Sequence, residues 1–230
     1  MQEAAILTGD LIGSTEAPPG ATEAALGLIA QTLIAQALIA PPSDTTETAT
    51  PHPMATRAEP TPAPRFTLFR GDGWQCALAP DQAPRMALRL LACLTAAGGL
   101  QSRIAIGLGA VEDWGKGGDL SQARGSALTA SGRALDAMTG LLALAAPDLP
   151  ATIAHRDQAL IRLWEVIARR WSPAQAEAMD LALQGLRQTE IAARLGVSPQ
   201  AVSLRLKAAE AGAVIDSLTL WEAAMRKDKA

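Results

Sequence analysis

Residues 187–209 constrain this chain more tightly than any other stretch. Ile191, Ala192 and Leu195 share one helical face, and Gly196 follows them. A glycine at that point accepts the left-handed geometry that ends a helix. Ser198 is then a good N-cap, and Pro199 falls at the first helical position, where a missing N–H costs nothing. In the second helix Val202, Leu206 and Ala209 recur at helical spacing. The stretch therefore reads as two short helices joined by a tight turn, the helix-turn-helix pattern. Gln200, Ser203, Leu204 and Lys207 are left facing outward, with Arg205 on the flank. Short polar and basic side chains on an exposed helix suit base edges and phosphates in a major groove. The DNA-contacting candidates are Gln188, Thr189, Ser198, Gln200, Ser203, Arg205 and Lys207. The plainer alternative is an ordinary pair of antiparallel helices.

Charge qualifies this reading. The chain of 230 residues has a formal charge of −3. Residues 151–230 hold 11 Lys and Arg against 9 Asp and Glu, whereas residues 1–150 hold 9 against 14. The basic excess lies with the helix-turn-helix but is slight, so affinity for double-stranded DNA is expected to need two copies as well as field. Cys76 and Cys93 stand in no Cys/His cluster, which points to two structural thiols in a reducing, cytoplasmic setting. The apolar run 24–40 is interrupted by Gln31, Thr32 and Gln36 and preceded by acidic residues, so it reads as a helix of the core and not as a membrane span or export signal.

Residues 4–9 fit a buried first strand ending at Asp10, and Leu11-Ile12-Gly13-Ser14-Thr15 fits a strand-to-helix turn. A helix from about Thr22 to Ala40 ends before Pro41-Pro42. Residues 41–64 contain seven prolines and little apolar bulk, the composition of a disordered insert. Residues 65–79 read as a hairpin with its tip at Gly71-Asp72-Gly73, and a helix with Met86, Leu90, Leu91 and Leu94 inward follows. Arg103 to Val111 is the clearest strand, Ser126 to Met138 a helix, and Ala151-Thr152-Ile153 a short strand. Beyond His155 the signals are helical. Leu160, Leu163, Trp164 and Ile167 mark one face of a helix over 156–170, Ser172-Pro173 starts the next, and a last helix over 214–225 carries Leu218, Leu220 and Trp221. The expected fold is α+β: a ferredoxin-like βαββαβ domain over 1–154, with the insert at 41–64, then an all-α domain over 155–230.

Asp10 ends the first strand beside a Gly/Ser-containing turn, and Asp72 sits on the hairpin tip between two glycines. Adjacent strands would bring the two carboxylates together, as a Mg²⁺ site with a polyphosphate requires. A helix start after Asp10 would offer backbone N–H groups to phosphate through Leu11, Ile12 and Gly13. The plainer reading has both aspartates capping turns. Trp74 and Trp114 suit core or interface packing better than a base-stacking platform. Arg169-Arg170 reads either as a phosphate contact or as a solvated helix end.

Three segments, Ile6-Leu7-Thr8-Gly9-Asp10-Leu11-Ile12-Gly13-Ser14, Phe69-Arg70-Gly71-Asp72-Gly73-Trp74-Gln75 and Arg103-Ile104-Ala105-Ile106-Gly107-Leu108-Gly109, resemble the successive core motifs of class III nucleotidyl cyclase domains. The resemblance implies metal ions on Asp10 and Asp72, a bound nucleotide and a dimer. Residues 125–133 resemble the helix that supplies an Asn and an Arg across the dimer interface; Arg133 fits the Arg, while Thr129 stands at the Asn position. The purine-reading Lys and its Asp partner fall at Leu68 and Ala127, so that pair is lost. A degenerate cyclase-like domain followed by Trp164, Trp171-Ser172-Pro173-Ala174-Gln175 and a helix-turn-helix resembles the SatD family of suspected DNA-binding regulators. That likeness implies a homodimeric transcriptional regulator that senses a nucleotide. An active cyclase with a DNA-binding tail, and a cyclase-like domain acting only as a dimerisation scaffold, are the alternatives.

Overall fold

A computed structural model describes residues 2–39, 65–69 and 71–227. The expectation of a disordered insert at 41–64 lies outside the described residues. Within them the chain is mixed α+β, with a five-stranded mixed sheet and eight α-helices. In chain order these are β1 (Gln2–Leu11), α1 (Ala21–Ile39), β2 (Arg65–Phe69), β3 (Gly73–Leu78), α2 (Ala83–Ala97), β4 (Ser102–Val111), α3 (Ser126–Ala137) and β5 (Leu142–Ala145). Five helices follow: α4 (Ala151–Ala168), α5 (Pro173–Leu183), α6 (Gln188–Leu195), α7 (Pro199–Ala208) and α8 (Ala211–Lys227).

The strands lie in the order β2-β3-β1-β4-β5. β1 is antiparallel to both β3 and β4, and β5 is parallel to β4 through the α3 crossover. The hairpin β2–β3 thus returns to pair with β1. Side chains alternate across the sheet. Leu7, Leu11, Trp74, Cys76, Ile104, Ile106, Leu142 and Leu144 join the large core, while Ala4, Ile6, Ala77 and Val111 pack with Ala127 of α3 in a smaller one. α3 rides close on β4 because Gly107 and Gly109 carry no side chain. A Cβ at Gly107 would collide with the backbone of Ala127 and Ser131. Inside this contact Ser131 and Thr8 share a hydrogen bond of 2.8 Å, and Gln75 donates to Thr8. Trp74 is fully buried, its indole N–H donating to Ser102 at 3.0 Å, so it is a core residue and not a stacking platform.

α2 is apolar nearly all round, with Ala83, Met86, Ala87, Leu88, Leu90, Leu91, Ala92 and Leu94 all buried. A helix of that kind must be covered on more than one side. Here one side faces the sheet and the other faces α5. The large core consequently runs without a break from β1, α1 and α2 through Trp164, Trp171, Met179, Ile191, Val202, Leu218 and Trp221 of the helical half. Each fully buried aliphatic side chain contributes roughly 1.5–3 kcal/mol. Three ion pairs cross the same seam. Arg85 of α2 meets Glu222 of α8 through two bonds of 2.6 and 3.0 Å, Arg89 meets Asp180 of α5 at 2.9 Å, and Arg226 meets Asp81 at 3.0 Å.

Three sequence expectations are corrected. Residues 151–153 are the first turn of α4, not a strand; Pro150 occupies the N-cap, and the first turn has no preceding turn for the β-branched Thr152 and Ile153 to crowd. The additional strand is β5, at Leu142–Ala145, which lies beside β4. α4 therefore runs through the expected boundary at 154/155. Its core-facing residues are Asp157, Ile161, Trp164, Glu165 and Ala168, while Leu163 is exposed. On α8, Leu218 and Trp221 are buried but Leu220 is exposed, since only one stripe of that helix meets the core. Among the described residues no helix is long and apolar enough to cross a membrane.

Candidate nucleic-acid interface and the cavity beside it

The helix-turn-helix is built as its residues require. Glu190 accepts from the Arg187 backbone N–H at 2.7 Å and from its guanidinium at 3.1 Å, which closes the first turn of α6. These bonds hold the Glu190 carboxyl below its usual range, the side-chain bond first and the backbone bond second. Gly196 ends α6 at φ +65°, and the Val197 N–H returns to Ala192. Ser198 accepts from the Ala201 N–H at 3.2 Å, with Pro199 at the first helical position of α7. Ile191, Val202, Leu206 and Ala209 are buried against α5 and α8.

The opposite face is open. Gln188, Thr189, Ser198, Gln200, Ser203, Leu204 and Lys207 are all exposed, Leu204 by 69%. Arg205 is half-buried on the flank, where it meets Glu177 of α5 at 3.3 Å. Arg187, exposed beside Gln188, belongs to this surface and was not among the sequence candidates. The signal for it was a basic residue directly preceding α6.

Asp10 and Asp72 lie at the same end of the sheet. The β1–β3 ladder runs to Gly9 and Trp74, so Asp10 and the hairpin tip are neighbours, as expected. Both carboxylates are already engaged. Asp10 faces Arg103 directly across the β1–β4 ladder, and both its oxygens accept from that guanidinium, through Nε at 2.9 Å and through Nη2. Asp72 accepts from the Ser14 hydroxyl. The Arg103 pKa is raised chiefly by the bond to Asp10, against the cost of burial, with the charges of Asp10, Asp136 and Asp72 adding to it. A guanidinium thus supplies the positive charge that a cation would bring. Among the described residues no group of three or more His, Cys, Asp and Glu gathers to hold a metal. These residues fit a resident Mg²⁺ ion poorly.

The backbone after Asp10 also differs from the expected phosphate cradle. Leu11 still belongs to β1, and the Ile12 N–H is spent on the Gln101 carbonyl at 2.8 Å. Gly13 turns the chain at φ +73° into a single 3-10 turn at Ser14–Glu16, and α1 begins only at Ala21. What does form here is an open cavity of about 500 Å³, lined by Asp10, Leu11, Ile12, Gly13, Arg103, Thr139–Leu141 and Arg169. Asp72 is not in its lining.

Thr129 and Arg133 are exposed on α3 and line a separate groove with Glu112, Ser126 and Pro147. Within one chain they are not brought to Asp10. Leu68 is exposed on β2, whereas Ala127 is buried on the inner face of α3. Trp114 packs under the Arg65 guanidinium, 4.5 Å from its ring centre.

No family model matches this chain, and no curated protein or solved structure matches it either.

Proposed function

We propose that this chain is a cytoplasmic DNA-binding transcriptional regulator of the SatD type, homodimeric through its sheet-containing half, which holds a nucleotide. The observation that carries the reading is the α6–α7 unit. Its inner face is fully used by packing, its caps are satisfied within the motif, and its outer face is left as an exposed polar and basic strip. Gln200, Ser203, Leu204 and Lys207 are aligned on one open side of α7.

In this reading α7 enters the major groove. Gln200 is suited to an adenine edge, Ser203 to either partner of a pair, and the Leu204 side chain to a thymine methyl. Lys207, Arg187, Gln188, Thr189 and Ser198 meet the phosphate backbone and fix register. Arg205 acts through Glu177 to hold the angle of entry. The near-neutral charge of the helical half favours a two-fold arrangement, in which two motifs meet half-sites about one helical turn apart.

The ferredoxin-like and cyclase-like assignment of residues 1–150 is supported by the βαββαβ succession and by the antiparallel order β2-β3-β1-β4. Catalysis has little support. Asp10 is committed to Arg103, and the base-reading pair is absent. Selection from a random duplex library, followed by gel shifts at fixed salt, tests the function. Enrichment of a palindrome bound by a dimer is the expected result. A library recovered without enrichment, with affinity no greater than for unselected duplex, would sink it.

A further inference from the structure

The sequence places Leu163 on the inner face of α4, yet in the structure it points outward, 61% exposed, with Val166 three residues on also exposed. That open side carries a second, regular pattern. Arg156, Ala159, Leu163, Val166 and Arg170 follow one another at steps of three, four, three and four residues, and all five are exposed. Such steps form the seam along which one helix packs lengthwise against another. His155, Arg162 and Arg169 run beside the seam at intervals of seven and are exposed too. From Arg156 to Arg170 the strip is about 21 Å long, or some four turns.

The charge of the strip is one-sided. The two carboxylates of α4, Asp157 and Glu165, are both buried. Glu165 accepts from the Leu141 N–H at 2.9 Å and from Arg162 at 2.7 Å, and Asp157 accepts from Arg156 at 2.9 Å. These bonds steady the guanidinium groups without withdrawing them from solvent. Arg156 and Arg162 each keep 58% of the side chain exposed, and Arg169 keeps 61%. Among the described residues from Ala151 to Arg170, four arginines and a histidine are exposed and no carboxylate is. This stands in a chain whose net charge is −3.

The occupant must match both the charge and the apolar centre. A second copy related by a two-fold axis would bring arginine against arginine. Arg162 would face its own image in an antiparallel pairing, and Arg156 and Arg170 theirs in a parallel one. A phosphate backbone would satisfy the arginines but offer nothing apolar to Ala159, Leu163 and Val166. A bilayer surface calls for a long apolar face, and here arginines close the stripe at both ends. We propose that this face of α4 docks an acidic amphipathic helix of a partner protein. Its apolar stripe covers Ala159, Leu163 and Val166, and its carboxylates meet Arg156, Arg162, Arg169 and Arg170. The inference goes beyond the DNA-binding reading and does not depend on it.

The test uses the full chain and a fluorescent synthetic helix of four turns, with leucine along one stripe, glutamate on both its flanks and alanine elsewhere. One control peptide carries lysine for glutamate, and another has the same residues in scrambled order. Anisotropy should show saturable binding of the glutamate peptide alone, weakening as salt rises. Leu163→Gln and Arg170→Glu should each weaken it by about five-fold or more. Both side chains are exposed, so the melting curve should stay in place. Should either variant fail to fold, amide NMR shifts of the parent protein on adding peptide read the same surface, and changes centred outside 155–170 overturn the site. Absence of binding to the glutamate peptide, equal binding of either control, or unchanged affinity in both variants overturns the proposal. Three further results also overturn it by naming another occupant. Sedimentation with phosphatidylserine–phosphatidylcholine vesicles that is lost in Leu163→Gln reads a bilayer. A dimer that dissociates in Leu163→Gln reads a second copy. A fall in duplex affinity and salt slope in Arg170→Glu, equal to that in Lys207→Ala, reads a flank of the DNA surface. If the glutamate peptide binds as stated and no duplex is enriched, the docking site stands and the DNA-binding reading falls.

Discussion

Arg89 of α2 and Asp180 of α5 meet at 2.9 Å, joining the helix that lies on the sheet to the helix that underlies the α6–α7 pair. The Arg89 side chain is 3% exposed and that of Asp180 16%. Gln184 also donates to Asp180, at 2.7 Å. Removing Asp180 deletes a charge-assisted bond to a buried guanidinium, at a cost of about 1.5–3 kcal/mol. Asp180→Ala is therefore expected to lower the thermal midpoint strongly. Because the core is continuous across the seam, far-ultraviolet and tryptophan signals should still melt together; two separated transitions in the parent protein would contradict the shared core.

On the DNA-binding reading, Gln200→Ala and Lys207→Ala should weaken DNA binding while leaving the melting curve in place, since both side chains are exposed. The two should differ in kind. Loss of a base contact at Gln200 costs about 1–3 kcal/mol and relaxes preference at one position. Loss of Lys207 weakens all duplexes alike and reduces the salt slope by about one. Gel-shift affinities unchanged in both variants, at stated salt, would count heavily against α7 as the reading helix.

Purified protein incubated with each nucleoside triphosphate and Mn²⁺ should yield no cyclic product. The first motif aspartate is occupied by Arg103, and Leu68 and Ala127 stand where a base would be read. Detection of a cyclic nucleotide by chromatography, lost in Asp72→Asn, would revive the enzymatic reading.

The two cysteines should behave as core residues. Burial pushes the Cys93 thiol up to about 11, with the nearby Asp180 charge adding to it, and burial pushes Cys76 higher still. A thiol whose folded pKa is raised favours folding below its unfolded value, and that contribution is lost as pH rises toward the folded value. Native protein at pH 8 should therefore react slowly with iodoacetamide at both positions and quickly once denatured, with stability falling above about pH 9. Rapid labelling of Cys93 in the native state would refute this.

Glycine at 107 should be indispensable for the α3 layer. A methyl group there would meet the backbone of Ala127 and Ser131, which cannot rotate away. Gly107→Ala is expected to destabilise by about 1–3 kcal/mol, the usual cost of overpacking. Gly132→Ala, where the added carbon meets nothing, serves as the control. Equal melting points for the two would show that α3 can shift freely.

The parts of this architecture that were legible in sequence are those encoded locally. The turn at Gly196, the Ser198 cap and the inward Val202 and Leu206 lie within a dozen residues of one another and specify α6 and α7 together. The hairpin tip and the strand around Ile104 were readable for the same reason. β5 was not, because four residues of Leu and Ala carry no periodicity of their own and become a strand only beside β4. The packing of α5 on α2 was hidden too, although Leu88 and Ala92, apolar on the wrong face of a one-sided helix, were its trace. At the candidate site, Asp10 and Arg103 each looked like an ordinary end of a strand. Their pairing depends on the β1–β4 register, which sets them opposite one another across 93 positions of sequence.

The unbroken core under α2 also governs how this protein could be re-engineered or could diverge. A reading head that sits on its own linker can be cut off and exchanged whole. Here a cut at 154/155 would sever α4 near its start and expose the apolar back of α2 and α5. On the DNA-binding reading proposed above, new preferences would have to arise by changing the outer residues of α7 in place, one groove contact at a time, with the rest of the chain carried along unchanged.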